Sequence, residues 1–379
     1  PRRLCYHREP GDRQEIRGAA MPSRPLTPSL GCWTQSLSIL CLAAVPAIAV
    51  LAPATAHGIG AMGARERHFT LTYTAVIDPV PAGAQKVEIW LPYPRSDRYQ
   101  DITAPKIDSP YPAAVEEDPV SGNAMLHAVV ASPPAGQPIA ISMSFDVERY
   151  EHVHRYSAET AGTGAGGDEA PAALARWLQP DRLVPLDARI RDLSRQVVAG
   201  RRTPAEQARA IYDYVVSTMK YDKTGTGWGN GDIHWACDAK RGNCTDFHAL
   251  FIGLSRAAGI PARFEIGLPL PAGEHEGEIP GYHCWAEFYL KGFGWVPVDA
   301  SEAAKHPEQR DYFFGAHDEN RVQLSIGRDL VLQPRQAGAP LNYFIYPYVE
   351  IDGKPFGDVK KTFRFKDVPS GPAPAATSR

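Results

Sequence analysis

The feature that most restricts the fold is a change of hydrophobic period on either side of one glycine-rich stretch, residues 162–167. Before it, Phe69, Leu71, Tyr73, Ala75 and Ile77 alternate with Thr70, Thr72 and Thr74. Runs at 86–91, 124–130 and 139–147 repeat the pattern, with proline and glycine between them. Period two with frequent turn residues predicts short strands in a small β-sandwich over 65–155. After the stretch the period moves toward 3.6. Ile190, Leu193 and Val197 share one helical face that ends at Gly200. Thr203-Pro204-Ala205-Glu206 reads as a capping box with proline at the first helical position, followed by a buried face of Ala208, Ile211, Tyr212, Val215 and Met219. A third helix is predicted from Thr245, with Phe247, Leu250, Phe251 and Leu254 at helical spacing, stopping at Gly259-Ile260-Pro261. Strands return at 263–268, 282–290 and 295–299, and again at 343–351 and 361–365.

At 379 residues the chain exceeds one average domain. Its net charge of −3 argues against bulk attraction to nucleic acid or anionic lipid, so partners must be read from a site. The chain opens on Pro1 and an arginine-rich stretch through Ala20, expected to be translated upstream sequence, with Met21 as the start. Arg24, an apolar run at 37–52 and Ala54-Thr55-Ala56 then follow in the order of a signal peptide's basic, apolar and cleavage regions. Pro46 interrupts that run, which is short for a membrane span. Residues 1–56 are therefore expected to be leader plus signal peptide, and the product periplasmic or secreted; left uncleaved, the segment would be a membrane anchor. Cys5, Cys32 and Cys41 leave with it, so Cys237, Cys244 and Cys284 remain. An odd count in an oxidising compartment suggests one pair and one free, reactive thiol. Cys237 with Cys284 is one candidate pair.

Cys244 stands where a long glycine-rich loop, 222–243, meets the third helix. A thiol there feels the positive end of the helix dipole and unsatisfied backbone N–H groups, which favour thiolate. The same N–H groups can hold an oxyanion on an acyl group bonded to the sulfur. Alternation along 282–290 puts His283, Trp285, Glu287 and Tyr289 on one face, expected to border a cleft. Cys284, Ala286, Phe288 and Leu290 take the other, expected to be core. Asp299 ends the next strand. A three-residue turn at Lys291-Gly292-Phe293 pairs Leu290 with Gly294 and sets Asp299 diagonal to His283, within reach. A two-residue turn would put Asp299 on the wrong face. Zinc is disfavoured: Cys237 and Cys244 are too widely spaced for a knuckle, and His283 and Cys284 point to opposite faces. Asp246, His234 and His248 are explained by the helix dipole and ordinary packing.

These residues resemble the transglutaminase-like superfamily. Gly242-Asn243-Cys244-Thr245-Asp246-Phe247 with Gly259-Ile260-Pro261-Ala262-Arg263 is similar to its nucleophile motif. His283-Cys284-Trp285-Ala286-Glu287 and Gly294-Trp295-Val296-Pro297-Val298-Asp299 are similar to its histidine and aspartate motifs. The resemblance implies a papain-like α+β transglutaminase core over 170–330; the strand-like runs after it read as a β extension at 331–368, and the Pro/Ala/Ser tail at 369–379 as disordered. It also implies Cys244 as nucleophile, His283 as base and Asp299 as orienter, acting on protein or peptide amides through a thioester, as peptidase, amidase or crosslinking enzyme. No cofactor, metal or calcium loop is implied. Trp228 and Trp235 are both candidates for holding the oxyanion. Substrates in the cell envelope suit an exported enzyme. The rival expectation is an exported binding or scaffold module that keeps the fold without the chemistry.

Overall fold

The structure, a computed structural model, describes residues 65–154 and 169–369. The leader and signal segment, the glycine-rich stretch at 162–167 and the tail from 370 lie outside the described residues. Seven strands come first: β1 (Glu66–Ile77), β2 (Lys86–Tyr93), β3 (Gln100–Asp108), β4 (Ala113–Glu117), β5 (Ala124–Ala131), β6 (Ile139–Tyr150) and β7 (His152–Val153). Helices α1 (Pro171–Ala175), α2 (Ala188–Val197) and α3 (Pro204–Thr218) follow, then β8 (Lys220–Tyr221), α4 (Ile233–Ala239), β9 (Arg241–Gly242) and α5 (Cys244–Ala257). Next are β10 (Ala262–Pro269), β11 (Glu276–Glu278), β12 (His283–Leu290), β13 (Gly294–Val298) and α6 (Ala300–Lys305). The chain closes with β14 (Ala316–His317), β15 (Arg321–Ile326), β16 (Tyr348–Ile351), β17 (Lys354–Phe356) and β18 (Val359–Asp367).

The alternating segments form a sandwich of two five-stranded sheets, ordered β11-β18-β1-β6-β3 and β17-β16-β2-β5-β4. Phe69, Leu71, Tyr73, Ala75 and Ile77 of β1 point inward beside Phe145, Met143 and Ile141 of β6, and meet Val87, Ile89, Leu126 and Val130 from the other sheet. Burying such aliphatic and aromatic side chains stabilises the sandwich by roughly 1.5–3 kcal/mol each. The C-terminal strands, expected as an extension of their own, complete this sandwich instead: β18 pairs with β1, and β16 pairs with β2. Local alternation marks a strand but does not name its partner. The outer face of β2 and β5 is covered from the same end of the chain, where Trp90 and Met125 meet Leu330, Leu332 and Phe344.

The second layer is the sheet β13-β12-β10-β15 with α5 packed across β12 and β10. Helices α2, α3, α4 and α6 surround α5, so every residue from Cys244 to Arg256 is buried. The capping box at Thr203 forms as expected: its hydroxyl accepts the Glu206 N–H, and Glu206 accepts the Thr203 N–H. The chain is thus α+β, a papain-like core built against a β-sandwich. No described helix is long and apolar enough to cross a membrane.

Candidate active site

The candidate residues are brought together by a helix cap, a hairpin and a second helix cap. The first cap starts α5 at Cys244. The Asn243 Oδ1 accepts the Thr245 N–H at 2.9 Å, and the Asp246 carboxylate accepts the Asn243 N–H at 2.9 Å. Among the described residues no acceptor meets the Cys244 N–H. Asp246, which the sequence reading left to the helix dipole, does more than offset it. It also accepts N–H groups from Gly229 at 2.8 Å and Gly231 at 3.0 Å, so one buried carboxylate ties the long loop to the first turn of α5. Gly242 has φ 149°, and a Cβ there would lie 2.2 Å from Asp246 Oδ2. A glycine followed four residues later by aspartate is the signal that was available for this anchor.

In the β12–β13 hairpin Leu290 pairs with Gly294 and Ala286 with Val298, the register produced by the three-residue turn. Asp299 then leaves the strand and caps α6. Its Oδ1 accepts the Glu302 N–H at 3.0 Å and the Ser301 hydroxyl at 3.0 Å. This leaves Oδ2 for His283 Nε2 at 2.7 Å and for the Arg321 guanidinium at 3.2 Å. Nε2 is thus committed to Asp299, and His283 lies near enough to the buried Cys244 thiol for each to shift the other's proton affinity. Cys244 is 2% exposed and His283 7%.

The electrostatics follow from these partners. Burial pushes the Cys244 thiol up, but hydrogen bonds with Cys284 and His283, and the charge on His283, together hold it well below the usual thiol range. Burial opposes charge on His283 too, yet Asp299 and the Cys244 sulfur raise it to about 10. Asp299 is penalised by burial and held well below the ordinary carboxylate range by His283 and Arg321. A thiolate–imidazolium pair backed by a carboxylate is the state these shifts describe. Arg321 was missed by the sequence reading because it lies on β15, outside the hairpin. It also bonds Asp318 at 3.2 Å, and its guanidinium carbon lies 5.0 Å from the Trp285 ring centroid.

The other residues singled out by the sequence are placed as follows. All four residues of the His283, Trp285, Glu287 and Tyr289 face of β12 are buried, and Glu287 lines a cavity of about 400 Å³ with Arg263 and Glu265. Cys284 has not joined Cys237: Cys237, Cys244 and Cys284 are all free. The Cys284 side of β12 packs on the first turn of α5, with its sulfur 3.7 Å from Thr245 Oγ1 and 3.8 Å from His248 Nδ1. Of the two tryptophans, Trp228 donates to Gly225 O at 3.1 Å, and the Trp235 ring lies against Gly227. His248 is fully buried, its Nε2 accepting the Ala300 N–H at 3.2 Å, so it braces α6 against α5. His234 sits apart, 2.9 Å from Asp187.

His283, Asp299 and Glu302 offer three atoms within 4.8 Å of one another, a spacing that would suit a cation. Protein cations already serve these carboxylates, Arg321 at Asp299 and Lys305 at Glu302. A cavity of about 760 Å³, lined among others by Arg209, Asp213 and Tyr312, does not reach Cys244. The residues flanking Cys244 meet Tyr282 instead, whose hydroxyl is 3.1 Å from Asn243 Nδ2 and 3.2 Å from Thr245 Oγ1.

Residues 191–300 match the transglutaminase-like superfamily, a span that includes Cys244, His283 and Asp299. An uncharacterised protein of Haemophilus influenzae is 29% identical over 332 residues, covering 78% of this chain and 89% of that protein. The crystal structure of a candidate cysteine protease from Cytophaga hutchinsonii shares the fold with a TM-score of 0.56 at 15% identity, covering 82% of this chain and 93% of that one. Residues 191–300 thus match a transglutaminase-like model with the three motifs in order, on a fold shared with that protease structure.

Proposed function

We propose that the chain is a cysteine-dependent acyl-transfer enzyme acting on protein or peptide amides. The observation that carries this reading is the 2.7 Å hydrogen bond between His283 and Asp299, with the buried Cys244 at the start of α5 held below the usual thiol range by His283. The Cys244 thiolate attacks the amide carbonyl carbon and forms a C–S bond, while the carbonyl electrons move to oxygen. The free Cys244 N–H at the positive end of α5 faces that oxyanion. Collapse breaks the C–N bond, and the amine leaves with the proton carried by His283. Water or a second amine then gives its proton to His283 and attacks the thioester, releasing the acyl group and restoring the thiolate. Asp299 holds the imidazole in place and supports its charge. Water as acceptor makes a peptidase or amidase; an amine makes a crosslinking enzyme. Export is proposed on the order of Arg24, the apolar run and Ala54-Thr55-Ala56.

The test is iodoacetamide alkylation across pH, followed by trapping of the acyl group from a peptide library and its identification by mass. The expected result is fast alkylation of Cys244 at pH 6 that falls about 100-fold in His283→Ala, because a thiol near its free pKa of about 8.5 is under about 1% ionised there. An acyl adduct confined to Cys244 is the second expected result. Alkylation with a free-thiol profile in the native protein, and no adduct, would instead favour a binding or scaffold module on this fold.

A further inference from the structure

The cavity of about 400 Å³ on the polar side of β12 falls within the size range of ligand pockets, roughly 300–1,000 Å³. It lies between the loop joining β2 to β3 and the sheet β13-β12-β10-β15, and Cys244 does not line it. Two of its side chains are almost wholly buried and carry a polar atom with no hydrogen-bond partner: Arg149, 3% exposed, through Nε, and His152, 2% exposed, through Nε2. Protein interiors pair such groups, because an unpaired buried charge or acceptor is costly. Among the described residues Arg149 meets the neutral amide of Gln100, its Nη1 donating to Oε1 at 3.3 Å. Asp97, Glu265 and Asp318 act on it through space, but burial outweighs them and holds it below the usual arginine range. The other arginines of the cavity are engaged or exposed. Arg263 is held by Glu287 at 2.5 Å and Glu265 at 3.0 Å, Arg95 by Glu117 at 2.6 Å, and Arg98 is exposed beside the Tyr99 ring. One uncommitted guanidinium suits a single negative charge. His152 adds a second requirement. Its ring stacks on Tyr99 with centroids 3.4 Å apart, and its Nδ1 faces Glu287 Oε1 at 3.5 Å. Burial, with His317 and His154 nearby, holds it well below the ordinary imidazole range, so the ring is neutral. Its proton belongs on Nδ1, beside the carboxylate, and Nε2 is left as an acceptor.

We propose that this cavity binds a small monocarboxylate with an N–H or O–H donor next to its carboxylate, the chemistry of an α-hydroxy acid or of the last residue of a peptide. The carboxylate accepts the Arg149 Nε–H, and the neighbouring donor meets His152 Nε2. A carboxylate without that donor leaves His152 unsatisfied, and a neutral amide leaves Arg149 without a counter-charge. A phosphate dianion brings more charge than one guanidinium balances. The site lies apart from Cys244 and involves no covalent step, so it stands whether or not the acyl-transfer reading holds.

The test is calorimetric titration of the full chain with glycolate, N-acetylglycine, acetate, N-acetylglycinamide and inorganic phosphate. Glycolate carries an O–H donor and N-acetylglycine an N–H donor; acetate lacks the donor, and the amide lacks the charge. One-to-one binding of glycolate or N-acetylglycine is expected, about tenfold tighter than acetate. The amide is expected to bind weaker than its acid by about tenfold or more. Which acid binds tighter tells a hydroxy acid from a peptide end. Arg149→Met is expected to lose the binding and, because it removes a buried charge without a partner, to melt no lower than the native chain. His152→Phe keeps a ring against Tyr99 and is expected to bring both acids down to the level of acetate. Failure of both acids to bind, equal binding of N-acetylglycine and its amide, or tighter binding of phosphate overturns the proposal. So does an Arg149→Met chain that melts lower and binds as before. If Arg149→Met does not fold, His152→Phe decides: an unchanged preference for the acids over acetate removes the site.

Discussion

The two faces of β12 are buried to the same degree and do opposite work. On one, Cys284, Ala286, Phe288 and Leu290 press toward α5, and Phe288 stacks on Phe314 with ring centroids 5.6 Å apart. On the other, each polar tip has a partner. His283 meets Asp299, Trp285 donates to Glu265 at 2.7 Å, and Glu287 accepts from Arg263 at 2.5 Å. The Tyr289 hydroxyl accepts the Glu169 N–H at 2.8 Å. Burial, with Glu287 close by, pushes Glu265 up to about 8. The apolar face contributes volume, and the polar face contributes a fixed arrangement of charge. Loss of volume costs stability without changing the chemistry, whereas loss of one polar partner leaves another buried group unsatisfied.

Substitutions can break or sharpen that contrast. The largest effect is expected from Phe288→Ala, about 3–5 kcal/mol of stability in urea unfolding, with the alkylation profile of Cys244 unmoved. A shifted profile would mean the apolar face also sets the thiol. Trp285→Phe keeps the ring but removes the donor to Glu265, and is expected to cost about 1–3 kcal/mol. If it costs as much as Phe288→Ala, packing governs both faces.

The smallest effect is a pH dependence of at most about 1.4 kcal/mol per pH unit. His283 is raised, so its contribution is complete below the unfolded value of about 6.5 and is lost as pH rises through about 10. Cys244 is depressed, so its contribution is complete above about 8.5 and is lost as pH falls through its folded value. Between about 6.5 and 8.5 the folded pair and the unfolded pair each hold one proton, and the two slopes cancel. The contribution of the pair to stability is therefore expected to be flat across that window, to fall from about 8.5 to 10 as pH rises, and to fall below about 6.5 as pH drops. His283→Gln removes this alkaline fall. A native-minus-variant difference that already declines from pH 6.5 would mean that the sulfur keeps its proton and that no ion pair forms.

Much of this architecture is legible in the residues because the signals involved are local. Threonine alternating with Phe69, Leu71 and Tyr73 marks a half-buried strand, and Thr203 with Glu206 marks a helix start. The turn at Lys291-Gly292-Phe293 fixes which side of β13 carries Asp299, since register and side-chain direction are locked together by a period of two. Other features needed contacts between segments far apart in the chain. The pairing of β18 with β1, the guanidinium of Arg321 against Asp299, and the grip of Asp246 on Gly229 and Gly231 have no periodic signature.

By itself the sequence determined most strands, the capping box at Thr203, and Cys244, His283 and Asp299 as the candidate residues. Only the tertiary structure decided the hairpin register, that β12 is buried on both faces, that Cys284 lies against Thr245 and His248 and not Cys237, and that the C-terminal strands close the sandwich. The physical reason is reach. Backbone geometry repeats over a few residues and leaves its period in the text, whereas a partner chosen by packing and charge is fixed only when the layers close on each other.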